Sequence, residues 1–401
     1  MAEIDPKEQL HPLETPQSPE EIIARARWED FTPQNGPLSG TIVHWGVDTD
    51  NPSLTDMYAR MGLKIGEEEI AKTGFRSRSL YPTTTTMREA AAVEEVLGTE
   101  LILRACENYG IEPEQLAAIG LANSFPYHPT SGITSFTQQV AAWSGVKEGA
   151  MTFDAQLLCN GSFELLRQIA LRQEELEGQY VAVGSVEGLG KVQSTDAKEV
   201  DPTNFQIFTN AGGVMVFQVG RDIVFTNKGE FNFGIDDPNR RGIVGSQFFP
   251  FPETMHPGDV CINETSIRQR IAHPENGAIY ASMNPANTLR WVVTTIKPML
   301  IRILEEQYPD LDSRDSIPFI GHVPSQIIHE KLIGWATKEG FNLDAPVYVT
   351  DGNGSSATTM KQILRASAEG FFDEGREVFG FGYGLGWNAS WLKMKVPQQN
   401  S

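Results

Sequence analysis

The chain has 401 residues, of which 40% are hydrophobic and 21% charged, and its 52 acidic against 32 basic residues give a net charge of −20. These fractions are those of a globular protein and exclude collagen, coiled coil and extensive disorder. An acidic average surface repels phosphate backbones and anionic lipids, so we expect neither a nucleic-acid partner nor a membrane partner.

The cysteines indicate a reducing compartment. Cys106, Cys159 and Cys261 are sparse, odd in number and without CxxC spacing, which predicts neither a disulfide framework nor a metal site. The first 18 residues lack a basic and apolar leader pattern, and no stretch of about 18 apolar residues occurs. We therefore expect a cytoplasmic protein.

Composition divides the chain into four segments. Residues 1–38 are rich in Pro, Glu and Gln and predict an extended or partly helical N-terminal arm. Residues 39–220 and 286–401 alternate apolar runs with amphipathic stretches, which predicts two α/β halves. Residues 221–285 are dense in Gly, Pro, Asn and aromatic residues and predict an insertion or cap, either a lid or a segment packed on the body.

The apolar periodicity predicts strands and helices in alternation. Short apolar runs predict buried strands at 117–122, 180–184, 214–217, 317–320 and 346–349. Apolar residues recur at helical spacing over 164–176 and 326–338. Residues 159–162 and 352–355 resemble each other, and each precedes a helix-like stretch and then a Gly-bearing strand. Four-residue matches arise by chance, but the shared order favours an internal duplication.

Cys159 is the candidate nucleophile. It follows the apolar run 155–158 and precedes Asn160-Gly161-Ser162, so we predict that it lies where a strand turns into a helix. The unpaired N–H groups and the dipole of a helix N-terminus favour an anion and lower a thiol pKa. A buried, inert cysteine is the alternative.

Two further polar residues follow predicted strands. His322 comes after 317–320, and Pro324 is predicted to open the next helix at its first position. Asn353 stands in a Gly-flanked turn after 346–349, where a turn or capping role is the alternative. Because the carboxyl ends of strands in an open α/β sheet meet at one crevice, we expect Cys159, His322 and Asn353 to converge.

The tail 380–387 is rich in glycine but lacks GxGxxG spacing and a following helix, which excludes a dinucleotide loop. Gly382, Gly384 and Gly386 are instead candidates for a loop that approaches a thioester oxygen closely and offers it N–H donors.

Over roughly residues 73–392 these motifs together resemble the class III ketoacyl-acyl-carrier-protein synthases of the thiolase superfamily. The matching elements are T-G-x-x-x-R at 73–78, the cysteine turn at 155–161, V-x-V-G-S at 181–185, the histidine element at 322–328, G-N-x-S at 352–355 and G-F-G-x-G at 380–384.

The resemblance implies a duplicated, five-layered αβαβα thiolase fold and a homodimer. It implies that Cys159 carries the acyl group, with its thiolate assisted by His322, and that His322 and Asn353 then bind the extender thioester. It also implies that the N–H groups of Cys159 and of 382–386 hold the oxyanion. It implies acyl-carrier-protein or acyl-CoA thioesters as substrates and no further cofactor. His128 and Phe208 would line the substrate pocket, although His128 could instead act as a base.

Differences from related classes narrow the prediction. Residues 380–388 lack the second cysteine of thiolases, and Asn353 replaces the second histidine of elongating ketosynthases. Residues 122–129 lack the glutamate of hydroxymethylglutaryl-type synthases. Residues 66–72 lack the tryptophan that stacks on coenzyme A in fatty-acid enzymes, which favours a carrier-bound or otherwise unusual donor.

Three hypotheses follow. The first is carbon-carbon bond formation through acyl-Cys159 in polyketide or modified fatty-acid biosynthesis. The second is transfer of the acyl group from Cys159 to an oxygen or nitrogen of a small molecule. The third is a non-catalytic partner subunit, which the presence of all three polar residues disfavours.

Overall fold

The computed structural model describes residues 13, 15–34, 36–82, 85–124, 134–192, 206–232, 259–263, 267–273, 278–283, 289–384 and 388–397. Its first strands are β1 (Arg27–Phe31), β2 (Ser39–His44), β3 (Val47–Asp50), β4 (Ser77–Leu80), β5 (Leu116–Ala122), β6 (Met151–Ala155), β7 (Tyr180–Gly188) and β8 (Asn210–Gln218). Later strands are β9 (Val224–Asn232), β10 (Asp259–Asn263), β11 (Ile267–His273), β12 (Ala278–Met283), β13 (Ile317–Gly321), β14 (Leu343–Asp344), β15 (Glu377–Gly384) and β16 (Asn388–Lys395).

The helices alternate with these strands, as the sequence predicts. They are α1 (Pro19–Ala24), α2 (Asn51–Arg60), α3 (Glu67–Ala71), α4 (Met87–Tyr109), α5 (Phe136–Trp143), α6 (Gly161–Leu171), α7 (Gln173–Leu176), α8 (Lys297–Gln307), α9 (Gln326–Lys338) and α10 (Ser356–Ala368). The predicted helix over 164–176 is divided between α6 and α7 at Arg172. No helix of the described ranges combines the length and the apolar character that a membrane crossing requires.

Two large sheets repeat one topology, which confirms the predicted duplication. The first has the order β1-β2-β8-β7-β5-β6 and the second the order β14-β13-β15-β16-β9. From β6 towards β2, successive neighbours pair parallel, parallel, antiparallel and antiparallel. The same series runs from β14 to β9. Strands β3 and β4 form a separate pair, and β10, β11 and β12 form a small antiparallel sheet.

Helices on both sides of each sheet complete the predicted five layers. Helix α6 contacts β5 and β15, and α10 contacts β7 and β13, so both lie between the two sheets. Their apolar side chains, including Phe163 and Met360, join those of both sheets in one buried cluster. Helices α4 and α5 cover the outer face of the first sheet, and α8 and α9 cover that of the second. This is the αβαβα architecture of the thiolase fold.

The structure moves two of the predicted segment boundaries. Residues 27–31 were assigned to the N-terminal arm, but they form β1, which pairs with β2 at the edge of the first sheet. Residues 224–232 were assigned to the cap, but they form β9, which pairs with β16 and buries Phe225 in the central cluster. Composition misled the prediction because an edge strand needs few apolar residues when only one of its faces is covered.

The predicted strand at 346–349 is wrong. Side chains of α10 bind its backbone in place of a neighbouring strand: Gln362 accepts from the Tyr348 N–H at 2.9 Å and donates to the Pro346 carbonyl. Arg365 donates to the Tyr348 carbonyl at 3.1 Å. Proline lacks the N–H that a ladder would use, so this segment suits side-chain partners better than strand partners.

Helix α9 begins two residues after Pro324, not with it. Ser325 is the N-cap, and its hydroxyl accepts from the Ile328 N–H at 3.4 Å. Pro324 therefore precedes the cap and does not occupy the first helical position. The cap still fixes a sharp turn between β13 and α9, and His322 lies in that turn.

Candidate active site

Cys159 lies in a 3-10 turn, Leu158–Asn160, between β6 and the central helix α6. Leu158 has a φ of +49°, in the left-handed region that is costly for a residue with a side chain. The turn fits because Gly161 has no Cβ, which would lie 2.6 Å from the Ser356 hydroxyl oxygen. The structure thus places Cys159 at the start of a buried helix, where the sequence predicted it.

His322 follows β13 directly and is 1% exposed. Its backbone N–H donates to the Phe381 carbonyl at 3.0 Å, which anchors it to β15. The imidazole meets the Tyr383 ring edge to face, with the ring centroids 5.7 Å apart. Neither ring nitrogen has a hydrogen-bond partner among the described residues. A buried, unpaired imidazole is costly unless a ligand supplies the missing partner.

Asn353 is fixed on both its backbone and its side chain. Its N–H donates to the Ile207 carbonyl at 2.7 Å and its own carbonyl accepts from Thr209 at 3.1 Å, which forms an isolated bridge beside Phe208. Its Oδ1 accepts from the Ser355 N–H at 2.8 Å and from the Thr358 hydroxyl at 3.0 Å. The Nδ2 group donates one N–H to the Pro324 carbonyl at 3.4 Å, so its other N–H is the donor that remains for a substrate.

The three predicted residues meet at one cavity. About 450 Å³ of empty space lies in the cavity and the open solvent at its mouth. Residues that line it include Cys159, Phe208, Trp291, His322, Asn353 and Tyr383. The walls are apolar apart from a thiol, an imidazole, a carboxamide and a phenol. Such a cavity suits an apolar acyl chain whose carbonyl reaches a few polar groups.

Burial controls the protonation of these groups. It raises the pKa of the Cys159 thiol to about 12, although hydrogen bonds from Ser355 and Asn353 favour the thiolate. It lowers the pKa of His322 to about 3, with a smaller contribution from His329. This direction is opposite to the lowered cysteine pKa that the sequence predicted, because the loss of hydration outweighs the hydrogen bonds to the sulfur. The resting pair is a neutral thiol and a neutral imidazole.

Gly382 and Gly384 are strand residues of β15 and not loop residues as predicted. A Cβ on Gly382 would lie 2.4 Å from the Phe163 side chain, and one on Gly384 would lie 2.5 Å from the Leu157 carbonyl. These glycines therefore let β15 pack directly against the cysteine turn. Gly386 and His128 lie outside the described residues.

Sequence reasoning missed several side chains near Cys159. The Ser355 hydroxyl lies 3.7 Å from the Cys159 sulfur, and Ser124 and Glu187 continue from it by hydrogen bonds. The Tyr383 hydroxyl is buried at the cavity without a partner among the described residues. One signal was visible: Glu187 is an acid within the otherwise apolar strand β7.

One cluster away from the cavity has the donor types of a metal site. Atoms of Glu29, His44 and Asp351 lie within 4.8 Å of one another. However, the Lys361 ammonium lies 2.8 Å and the Arg365 guanidinium 2.9 Å from Asp351. Two cations already neutralise these carboxylates, so the cluster does not suit a metal ion.

Known proteins share this fold and part of this sequence. No family model matches the chain. A β-ketoacyl-[acyl-carrier-protein] synthase III of Clostridium acetobutylicum is 24% identical over 302 residues, which are 74% of this chain and 83% of that protein.

Two solved structures illustrate the likeness. The 3-oxoacyl-(acyl carrier protein) synthase III of Pseudomonas aeruginosa superposes with a TM-score of 0.62 at 15% identity, over 88% of this chain and 96% of that one. The tetrahydroxynaphthalene synthase of Streptomyces coelicolor A3(2), a bacterial type III polyketide synthase, superposes with a TM-score of 0.66 at 14% identity, over 89% and 98%. The chain therefore has the thiolase fold of these ketosynthases and is similar in sequence to a β-ketoacyl synthase III, as the sequence motifs predicted.

Proposed function

We propose that this protein is a ketosynthase III-like condensing enzyme, which loads an acyl group onto Cys159 and joins it to a carbon nucleophile in fatty-acid or polyketide biosynthesis. The observation that carries the proposal is the convergence of Cys159, His322 and Asn353 on one apolar cavity. These residues come from three distant parts of the chain, and each is held by its own turn at the end of an element.

In the first half-reaction the Cys159 sulfur attacks the carbonyl carbon of a donor thioester. The sulfur–hydrogen bond of the thiol breaks and its proton passes to a base within the protein, while the new sulfur-carbon bond forms and the donor carbon-sulfur bond breaks. The donor leaves as a thiolate that takes a proton from water. The apolar walls of the cavity exclude water from the acyl-enzyme, which protects it from hydrolysis.

In the second half-reaction His322 and the Asn353 amide donate hydrogen bonds to the thioester oxygen of a malonyl-type extender. Loss of carbon dioxide leaves an enolate, whose negative oxygen these donors stabilise. The enolate carbon attacks the acyl carbonyl, and Cys159 departs. The low pKa of buried His322 supports this role, because a neutral imidazole polarises the oxygen without protonating it beforehand.

The donor carrier and the assembly belong to the same proposal. An acyl carrier protein or coenzyme A would deliver the acyl group, and the protein would work as a homodimer in the cytoplasm. The edge strand β6 supports dimerisation, since its outer side has no partner strand within the described ranges. Sedimentation of the active protein tests this, and full turnover by a monomer would contradict it.

An acylation screen tests the central claim. The protein is incubated with acyl-carrier-protein and acyl-CoA thioesters of increasing acyl chain length. The mass of the proteolytic peptide that contains Cys159 is then measured by mass spectrometry. We expect a mass increase of one acyl group, lost in Cys159→Ala and retained in Cys106→Ala. Labelling of another cysteine instead would remove the proposed nucleophile, and no labelling at all would favour a non-catalytic subunit.

The acceptor is then identified with a malonyl thioester added to the acyl-enzyme. Condensation releases carbon dioxide in proportion to product, whereas transfer to an oxygen or nitrogen releases none. A His128→Phe variant separates the two roles of that residue, because pocket lining would shift the preferred acyl length and a base role would stop turnover.

A further inference from the structure

A chain of hydrogen bonds leads from Cys159 away from the cavity into the protein. The Ser355 hydroxyl lies 3.7 Å from the Cys159 sulfur. The hydroxyls of Ser355 and Ser124 are 2.8 Å apart, and either oxygen can be the donor. The Ser124 hydroxyl lies 2.9 Å from Oε1 of Glu187. Two hydroxyls in series, each able to donate and accept, can pass a proton between their ends.

Glu187 is a buried carboxyl that ends this chain. It is 1% exposed and accepts from the Ser124 N–H at 2.9 Å and from the Ser185 hydroxyl at 3.3 Å. Burial raises the pKa of Glu187 to about 8, against the hydrogen bonds of Ser124 and the charge of Lys191. Its protonation therefore changes near neutral pH.

Among the described residues, few groups face the two ends of this hydrogen-bond chain. Near Glu187, the ammonium of Lys191 lies 2.5 Å from Glu94, a carboxyl of α4 that also accepts from Asn123 at 3.1 Å. The Glu94 charge raises the Glu187 pKa and the Lys191 charge lowers it. At the other end, the cavity places His322 and Tyr383 around the Cys159 thiol.

Ser355, the residue that links Cys159 to Ser124, has an unusual backbone conformation. Its φ is +51° and its ψ −123°, in a region that a residue with a side chain rarely adopts. The Ser355 N–H donates to Asn353 Oδ1 at 2.8 Å, which stabilises the turn. Strain of this kind persists at functional sites because the surroundings over-determine it.

We propose that Glu187 takes the proton of the Cys159 thiol through Ser355 and Ser124 and holds it while the acyl-enzyme exists. The inference rests on the proposed function, since it describes how the same cysteine becomes a thiolate. The sulfur–hydrogen bond breaks, Ser355 and Ser124 each accept one proton and release another, and the carboxylate becomes a carboxylic acid.

When condensation expels Cys159 as a thiolate, the proton returns by the same path and restores the thiol and the carboxylate. Glu187 does not touch the substrate and acts through the two serines. His322 remains free to donate to the extender oxygen throughout. Its lowered pKa makes it a much weaker proton acceptor than Glu187.

Alkylation of Cys159 by iodoacetamide tests the inference without any acyl substrate. The rate of label entry into the Cys159 peptide is measured from pH 6 to pH 10. We expect the wild-type rate to rise in a step with its midpoint near pH 8, where Glu187 becomes a carboxylate. Glu187→Gln should lack the step and react about 10²-fold more slowly at pH 9, the usual contribution of a general base.

If Glu187 acted only through its charge, the Glu187→Gln substitution would change the alkylation rate in the opposite direction. The Glu187 charge raises the Cys159 pKa, so its removal would make the thiol react faster. An alkylation rate in Glu187→Gln that equals or exceeds the wild-type rate would therefore overturn the relay.

Two serine variants complete the test. Ser124→Ala keeps the carboxylate but interrupts the chain, and it should also lose the step. Ser185→Ala removes a hydrogen bond to the same carboxylate that is not part of the hydrogen-bond chain, and it should keep the step.

Circular dichroism checks that each variant is folded. If Glu187→Gln is unfolded, Ser124→Ala decides the question. A retained step in Ser124→Ala overturns the inference, whereas failure of the acylation screen alone would remove only the proposed function.

Discussion

The Thr358 hydroxyl donates to Asn353 Oδ1 at 3.0 Å, and this contact determines which end of the Asn353 carboxamide faces the cavity. Thr358 lies in the first turn of α10, so this turn of a central helix sets the orientation of a side chain that precedes it. With the Ser355 N–H on the same oxygen, the amide cannot rotate without leaving two buried donors unpaired.

Replacing Asn353 by aspartate should remove the donor while keeping the shape. One carboxylate oxygen would still accept from Ser355 and Thr358. The other would replace the amide that donates to the Pro324 carbonyl and faces the cavity, and it could only accept. We expect carbon dioxide release from a preformed acyl-enzyme to fall about 10²–10³-fold, the usual cost of losing one donor to a developing oxyanion.

Single-turnover decarboxylation measures this effect separately from acyl loading. Asn227→Asp, on the exposed part of β9, is the matched control and should leave turnover unchanged. Thr358→Val should give a smaller loss of decarboxylation with acyl loading retained, because it loosens the amide without removing it. Unchanged decarboxylation in Asn353→Asp would exclude the donor role.

The buried strands could be predicted because an apolar run bounded by polar residues has few alternatives in a soluble protein. Strands β5, β7, β8 and β13 were found in this way, and so was helix α9. Edge strand β9 was missed because its composition resembles a loop. The segment 346–349 was mistaken for a strand because its partners, Gln362 and Arg365, lie on a helix further along the chain.

Some features of the candidate site could likewise be predicted from the sequence and others could not. Cys159, His322 and Asn353 each follow a recognisable local pattern, so their proximity could be predicted from the motifs. The thiol pKa could not, because it depends on burial by residues from several elements. The relay residues Ser124, which follows β5, and Glu187, which lies in β7, are far apart in sequence, and nothing in their spacing relates them to Ser355.

The two buried titratable groups His322 and Glu187 should change stability with pH in opposite directions. The His322 pKa is lowered from 6.5 to about 3, so its contribution is present above pH 6.5 and is lost as the pH falls towards 3. The Glu187 pKa is raised from 4.5 to about 8, so its contribution is fully present below pH 4.5 and is lost as the pH rises through 8.

Urea midpoints of wild type, His322→Gln and Glu187→Gln between pH 4 and pH 9 measure both effects. Relative to wild type, His322→Gln should gain stability as the pH falls below 6.5, and Glu187→Gln should gain it as the pH rises above 4.5. For one titrating group, the difference in unfolding free energy between variant and wild type can change by at most about 1.4 kcal/mol per pH unit. Curves parallel to the wild-type curve would mean that these groups titrate normally in the folded protein.

Gly382→Ala should displace the cysteine turn. The new methyl would lie 2.4 Å from the Phe163 side chain and 2.5 Å from Asn160 Oδ1, closer than any real contact. We expect a loss of about 1–3 kcal/mol of stability from overpacking, and slower acylation of Cys159 because the turn moves.

Gly334→Ala is the matched control, because a methyl there meets nothing within 4 Å in the interior of α9. It should stabilise the protein by about 0.5–1 kcal/mol through helix propensity and leave acylation unchanged. If both alanine variants had the same stability and the same acylation rate, the close packing of β15 on the cysteine turn would not be needed for acylation of Cys159.

Lys361→Met should destabilise the turn that carries Asn353. Lys361 is fully buried, lies 2.8 Å from Asp351 Oδ1, and donates to the Gly352 carbonyl at 3.2 Å. Burial alone would raise the Asp351 pKa, but Lys361, His44 and Arg365 outweigh it and hold that pKa well below its usual value. Removing the lysine leaves a charge without its principal partner, for which we expect a loss of about 3–5 kcal/mol.

Urea unfolding measures this loss, with Arg27→Met as the control. Arg27 lies 2.6 Å from Asp48, but both side chains are more than half exposed, so removal of this pair should cost less than about 1 kcal/mol. Because the Asp351 cluster holds α10 against the turn before Asn353, Lys361→Met should also slow decarboxylation by the acyl-enzyme. Equal stability losses in the two variants would show that the buried Lys361–Asp351 pair contributes no more to stability than the exposed Arg27–Asp48 pair.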